Sequence, residues 1–289
     1  MRRIIAVNTW VWTSPLTDTT LAELAAKAAG MGFGSLELPV ESPGDWSPSR
    51  ARAVLDEHGL VPIVIGAMGA GRNLVAAPAG EVALTQSYLM HCIDVAAELG
   101  SEIVAGPFTA ETGRTWRMSP SERATVSAEL RDALAPVVEH ARAAGVTLAV
   151  EPLNRYETSL INTVDQAIEV LTPLLGPGLG LALDSYHLNI EEKSIGDAIR
   201  RAGEHLAYVQ ICGNDRGAVG DDHIDWPDFF DALDDVAYAR PLGLESFTGE
   251  NDTIAVAASV WRPLAESQDA LAERSMAFLS ELQNERYGR

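Results

Sequence analysis

The chain has 289 residues, 47% of them hydrophobic, enough for one large core and suited to a single α/β barrel more than to a string of small domains. Acidic residues number 41 against 21 basic ones, a formal net charge of −20 that argues against nucleic acid as a partner. No apolar run approaches the roughly 20 residues that cross a bilayer, and the only cysteines, Cys92 and Cys212, read as reduced thiols of a cytoplasmic protein.

Short apolar runs and longer amphipathic stretches alternate along the chain. The opening MRRIIAVNTW has a basic head, but its apolar stretch is too short for a targeting signal and reads as a first strand at Ile4–Val7. Helix Thr20–Met31, strand Ser35–Leu38, helix Ser49–His58, strand Val61–Ile65 and helix Val82–Leu99 follow. Strand Ile103–Ala105 comes next, then a helix at Ser121–Ala144, with Ser119-Pro120 as its opening signal and Gly145 as its stop. The chain continues through strand Val146–Val150, helix Val164–Leu175, strands Gly180–Leu183, Ala207–Ile211 and Leu242–Leu244, and a final helix at Leu271–Leu282.

About eight strand–helix units with near-continuous apolar strands predict a parallel sheet covered by helices. An open doubly wound sheet would carry a glycine-rich phosphate loop after its first strand, and NTWVWTSP has none. The expectation is therefore one (β/α)8 barrel over residues 1–289. The irregular segments Gly66–Pro78, Gly106–Pro120 and Cys212–Trp226 all follow strands, which assigns them to the functional face.

Glu151, Asp184, Gln210 and Glu245 sit at or near the C-terminal ends of the last four strands, where a barrel gathers its chemistry. A carboxylate at the end of a buried strand is costly without a partner. Singly, each has an ordinary explanation, such as a Glu151–Arg155 ion pair or a helix cap from Asp184. Three at equivalent positions point to a cation or a proton-transfer site. Around them lie Asn154, Arg155 and Glu157, then Tyr186, His187 and Asn189, then Asn214, Asp215, Arg216, His223 and Trp226, a density of polar groups suited to a polyhydroxylated ligand. Trp10, Trp12 and Trp116 are candidates to stack on a sugar ring, with core packing as the alternative. His187 reads either as a site residue or as a core histidine held by a backbone group, and Arg216 as a site residue or a surface ion pair. His58, His91, His140 and His205 fall on helices or their ends and read as structural or solvated.

The segments EPLNRYET, LDSYHLNIEE, NDRG…HIDW and GLESF resemble the ketose 3-epimerases, the D-tagatose and D-allulose 3-epimerase family of the xylose-isomerase-like TIM barrels, and the similarity runs over nearly the whole chain. The resemblance implies a divalent manganese, cobalt or magnesium ion with Glu151, Asp184 and Glu245 as ligands. It implies Glu157, His187 and Arg216 as contacts to substrate oxygens, to which Trp116 is added as an aromatic neighbour. It also implies a sugar substrate, inversion at C3 of a free ketose through a cis-enediolate with Glu151 and Glu245 as the two proton-transfer groups, and a homo-oligomer, dimer or tetramer. One position departs: where the family has its metal-binding His, this chain has Gln210. An amide oxygen suits manganese, magnesium or calcium better than softer ions, and His223 and His205 are the candidates to compensate. The same chemistry applied to a 3-oxo-glycoside or to aldose–ketose isomerisation, and a barrel that binds a sugar or partner without turnover, are the other readings.

Overall fold

A computed structural model describes residues 1–288. Eight strands form a closed barrel in sequence order: β1 (Ile5–Asn8), β2 (Ser35–Val40), β3 (Val61–Gly66), β4 (Ile103–Gly106), β5 (Thr147–Val150), β6 (Leu179–Asp184), β7 (Leu206–Ile211) and β8 (Leu242–Leu244). All neighbours are parallel, and β8 closes on β1 through Ile5↔Leu242, Ala6↔Gly243 and Val7↔Leu244. The expected single (β/α)8 barrel is therefore what the chain forms.

The period of two along each strand explains where side chains go. Leu36 and Leu38, Leu148 and Val150, Leu179, Leu181 and Leu183, Val209 and Ile211, and Leu242 and Leu244 all belong to the layer packed with the surrounding helices. The alternate positions face the lumen, where Ile63, Ile65, Ile103, Ala105, Ala149, Ala182 and Tyr208 pack together. Continuing the same alternation places Glu37, Glu151, Asp184, Gln210 and Glu245 inward as well, and all five are buried.

The helices are α1 (Asp18–Gly30), α2 (Pro48–His58), α3 (Ala79–Leu99), α4 (Pro120–Ala144), α5 (Val164–Leu171), α6 (Ser185–Glu191), α7 (Ile195–Ala202), α8 (Trp226–Asp235), α9 (Asp252–Ala257) and α10 (Gln268–Tyr287). α4 opens with a reciprocal capping box between Ser119 and Glu122 and closes on Gly145, whose φ of 70° is the left-handed cap glycine adopts without strain. Short α6 begins directly at the end of β6 because Asp184 caps it, accepting the Tyr186 N–H at 2.6 Å. Among the described residues no helix is long and apolar enough to cross a membrane.

Candidate active site

The lumen layer beneath the C-terminal strand ends is crowded with carboxyls. Glu37, Glu151, Asp184 and Glu245 are all buried, and Arg216 is the buried cation among them. Its Nη1 donates to Asp184 Oδ2 and to Glu245 Oε2, the latter at 2.7 Å. Arg216 occupies this place from a left-handed backbone (φ 68°), anchored by a 2.7 Å hydrogen bond from Ser246 Oγ to its carbonyl. Its guanidinium lies over the rings of Tyr186 and Phe247, at 4.2 and 5.2 Å from their centroids.

The remaining contacts divide the carboxyls by environment. Burial pushes Glu151 well above the ordinary carboxyl range, reinforced by the charges of Glu245 and Asp184. Burial likewise raises Glu245, against the pull of Arg216. For Asp184, burial is outweighed by Arg216, His187 and its hydrogen bonds, so this carboxyl is held below its usual range. Both ring nitrogens of His187 face donors: the Asn154 N–H at Nδ1 (3.0 Å) and Arg216 Nη2 at Nε2 (3.0 Å). Burial and Arg216 together depress it to about 4, so the ring is neutral at pH 7. Asn154 also donates to Glu157 Oε1 at 2.7 Å, which fixes that carboxylate at the cavity wall.

These residues fit a divalent cation. Glu151, Asp184 and His187 offer ligand atoms within 4.8 Å of one another, and Glu151 Oε1 is buried without a hydrogen-bond partner. A buried orphan carboxylate oxygen beside two further carboxylates is an arrangement that a bound cation satisfies. Gln210 presents its amide nitrogen to the carboxyls: Nε2 donates to Glu245 Oε1 at 2.8 Å and to Glu37 Oε2 at 3.0 Å.

Above this layer opens a cavity of about 490 Å³, lined by Glu151, Glu157, His187, Gln210, Arg216 and Glu245 at its floor. That volume is in the usual range for small-molecule sites. Trp10 and Phe247 form an apolar wall with ring centroids 5.7 Å apart. All three loops assigned to the functional face contribute, through Met68 and Arg72, Pro107 and Glu111, and Arg216. The outer rim also carries Glu41 and Glu111. Arg72, the cation there, directs its guanidinium to the backbone carbonyls of Ala67 and Glu41 and stacks on Tyr88.

Several sequence expectations fall elsewhere. Trp116 does not line the cavity; it stacks with Arg114 at 4.8 Å and packs on the outer core. Trp12 donates to Asp269. Arg155 pairs with Glu191 and not with Glu151. His223 faces Asn189, and His205 precedes the N-terminal end of β7, so neither joins the buried group to replace the absent His. Asp184 is at once the α6 cap and a member of the cluster. The sequence reading missed Glu37, together with the Tyr208 and Asn8 that hydrogen-bond it at 2.6 and 2.8 Å. An acidic residue between Leu36 and Leu38 in an inward register was the signal.

The barrel and this buried acidic cluster define a class of barrel whose strand ends can hold a metal ion, and comparison with known proteins narrows it. Residues 25–282 match the family model for the xylose isomerase-like TIM barrel. The L-ribulose 3-epimerase of Mesorhizobium japonicum is 32% identical over 95% of this chain and 92% of its own. A solved structure of L-ribulose 3-epimerase superposes with a TM-score of 0.89 at 30% identity, covering 99% of this chain and 97% of that one. A D-allulose 3-epimerase from Methylomonas sp., solved in complex with D-allulose, gives a TM-score of 0.86 at 26% identity over 97% of this chain and 98% of its own. The chain belongs to the ketose 3-epimerase family of xylose isomerase-like TIM barrels.

Proposed function

We propose that this protein inverts C3 of a free ketose, with Glu151 and Glu245 as the two proton-transfer groups. The observation that carries this reading is the pair itself. Both are buried at the floor of one cavity, both are raised by burial, and they project from β5 and β8, three strands apart around the barrel. A planar intermediate lying between them is open to proton removal on one face and return on the other, as inversion requires. Glu151, with an unpartnered oxygen, is placed to take or give a proton, while Arg216 and Gln210 hold the two oxygens of Glu245. Glu157, His187 and Arg216 meet the substrate hydroxyls from the floor and wall, and Trp10 and Phe247 cover its apolar face.

A divalent ion belongs to the same proposal: manganese, or magnesium or cobalt, held by Glu151, Asp184, Glu245 and the carbonyl oxygen of Gln210, with His187 close by. When bound it supplies polarisation of the substrate carbonyl, which acidifies the adjacent C–H. A cytoplasmic location is supported by two buried, unpaired cysteines. A homodimer or tetramer is supported by the family resemblance and is checked by light scattering.

Enzyme incubated with Mn²⁺ and ketoses in D₂O should place deuterium at C3, read by NMR. Absence of exchange across ketohexoses and ketopentoses overturns the assignment, and release of aglycone from a 3-oxo-glucoside would redirect it. Glu151→Gln and Glu245→Gln should each lower kcat by about 10²- to 10⁴-fold.

A further inference from the structure

One layer below the candidate metal ligands, Glu37 occupies a place the barrel has built for it. Its Oε1 accepts the Tyr208 hydroxyl at 2.6 Å, and its Oε2 accepts Asn8 Nδ2 at 2.8 Å and Gln210 Nε2 at 3.0 Å. Two strands away, on β8, stands Gly243, where a Cβ would lie 1.5 Å from Glu37 Oε1. A glycine in that strand therefore makes room for the carboxyl. Nothing in the proposed proton transfer uses Glu37, which is absent from the cavity lining.

The contact with Gln210 has a direction. A primary amide has an accepting oxygen and a donating nitrogen, and carboxylates only accept when ionised. Gln210 has a carboxyl oxygen on each side, from Glu37 and from Glu245, and its nitrogen faces both. With the two carboxyls ionised, reversal would turn its carbonyl oxygen against two acceptors. With both N–H groups occupied, the carbonyl oxygen is the one pole left for a cation.

We propose that Glu37 is a positioning residue: by accepting one N–H of Gln210 it sets the amide so that the other N–H holds Glu245 and the carbonyl oxygen is left to the metal. The proposal rests on the reading of Gln210 as a metal ligand. A carboxylate behind an amide ligand does here what carboxylates behind ligating imidazoles do, fixing the orientation and raising the donor strength of the group in front. Glu37→Gln keeps the shape but introduces a donor of its own, so the directional constraint on Gln210 is lost.

The test is Mn²⁺ binding to the chelator-treated protein, followed by the electron paramagnetic resonance signal of free Mn²⁺, for Glu37→Gln, Gln210→Ala and the double variant. Glu37→Gln should weaken binding about 10- to 100-fold, as outer-shell changes at metal sites do, Gln210→Ala should weaken it at least as much, and the double variant should bind no more weakly than Gln210→Ala. Glu37→Gln with wild-type affinity, or multiplying losses in the double variant, overturns the positioning role. Unchanged affinity in Gln210→Ala would instead remove Gln210 from the ligand set, and Glu37's role with it, while leaving C3 exchange as a separate result. Tyr208→Phe removes a donor to Glu37 without touching Gln210 and should retain Mn²⁺ affinity. A loss there as large as in Glu37→Gln would mean general disturbance of the lumen and sink the proposal.

Discussion

A carboxyl survives inside a barrel lumen only where donors surround it and a nearby strand yields space, and Gly243 is the residue that yields it for Glu37. Burial pushes the Glu37 carboxyl up to about 7, partly offset by its three hydrogen bonds from Tyr208, Asn8 and Gln210. Gly243→Ala should destabilise the fold by at least about 1–3 kcal/mol, the usual cost of overpacking, measured by chemical denaturation. Cys92 is buried among helix side chains, and burial pushes its thiol from 9.0 up to about 12. Its folded value is raised, so the protonated form is favoured by folding. That contribution is full below about pH 9 and drains away toward pH 12. Iodoacetamide at pH 8 should therefore leave Cys92 unmodified in the native protein and modify it after denaturation, as mass spectrometry will read. Among site residues, Glu151, Asp184 and Glu245 were legible because each follows an apolar run that can only be a strand. Glu37 was not, because its partners Asn8, Tyr208 and Gln210 lie on other strands and meet it only when the barrel closes.

The strands were the most legible elements. The eight apolar runs coincide with β1–β8 to within a few residues at each end, because strands buried on both faces admit few polar residues. Helices with strong punctuation were equally clear: α4 begins one residue after its Ser119 cap, as the Ser-Pro signal predicts. Shorter helices were harder. The segment after β6 breaks into α6 and α7, and α6 is held by an aspartate that also reads as a site residue. α8 carries its own signals in the Asp225 cap and Pro227 in the first turn. At α4, Ser119→Ala removes one half of the capping box and should cost about 1 kcal/mol, read from a denaturant midpoint shift with an unchanged slope. Trp116 marks the limit of this kind of reading, because a loop aromatic near a strand end has two faces available and here packs away from the cavity.

At the scale of the molecule, closure of β1 on β8 decides which residues become neighbours. It brings Asn8 and Glu37 at the beginning of the chain against Tyr208, Gln210 and Gly243 near its end. The sequence order of the strands therefore says little about which side chains share a proton or a ligand, whereas the closed register says nearly everything. The net charge of −20 belongs to the same scale, and so does the cavity rim, where Glu41 and Glu111 stand and the Arg72 guanidinium turns to backbone carbonyls. A mouth of this sign acts on arrival before any contact is made. Divalent cations should be drawn in, an uncharged ketose should diffuse freely, and a sugar phosphate should meet an unfavourable gradient. Raising ionic strength from 0.01 to 0.15 M shortens the screening length from about 30 Å to about 8 Å. Mn²⁺ uptake in stopped flow should then slow by about tenfold, with ketose capture unchanged. On that expectation the acidic rim acts as a kinetic filter, choosing between solutes by how often they reach the floor and not by how well they fit there.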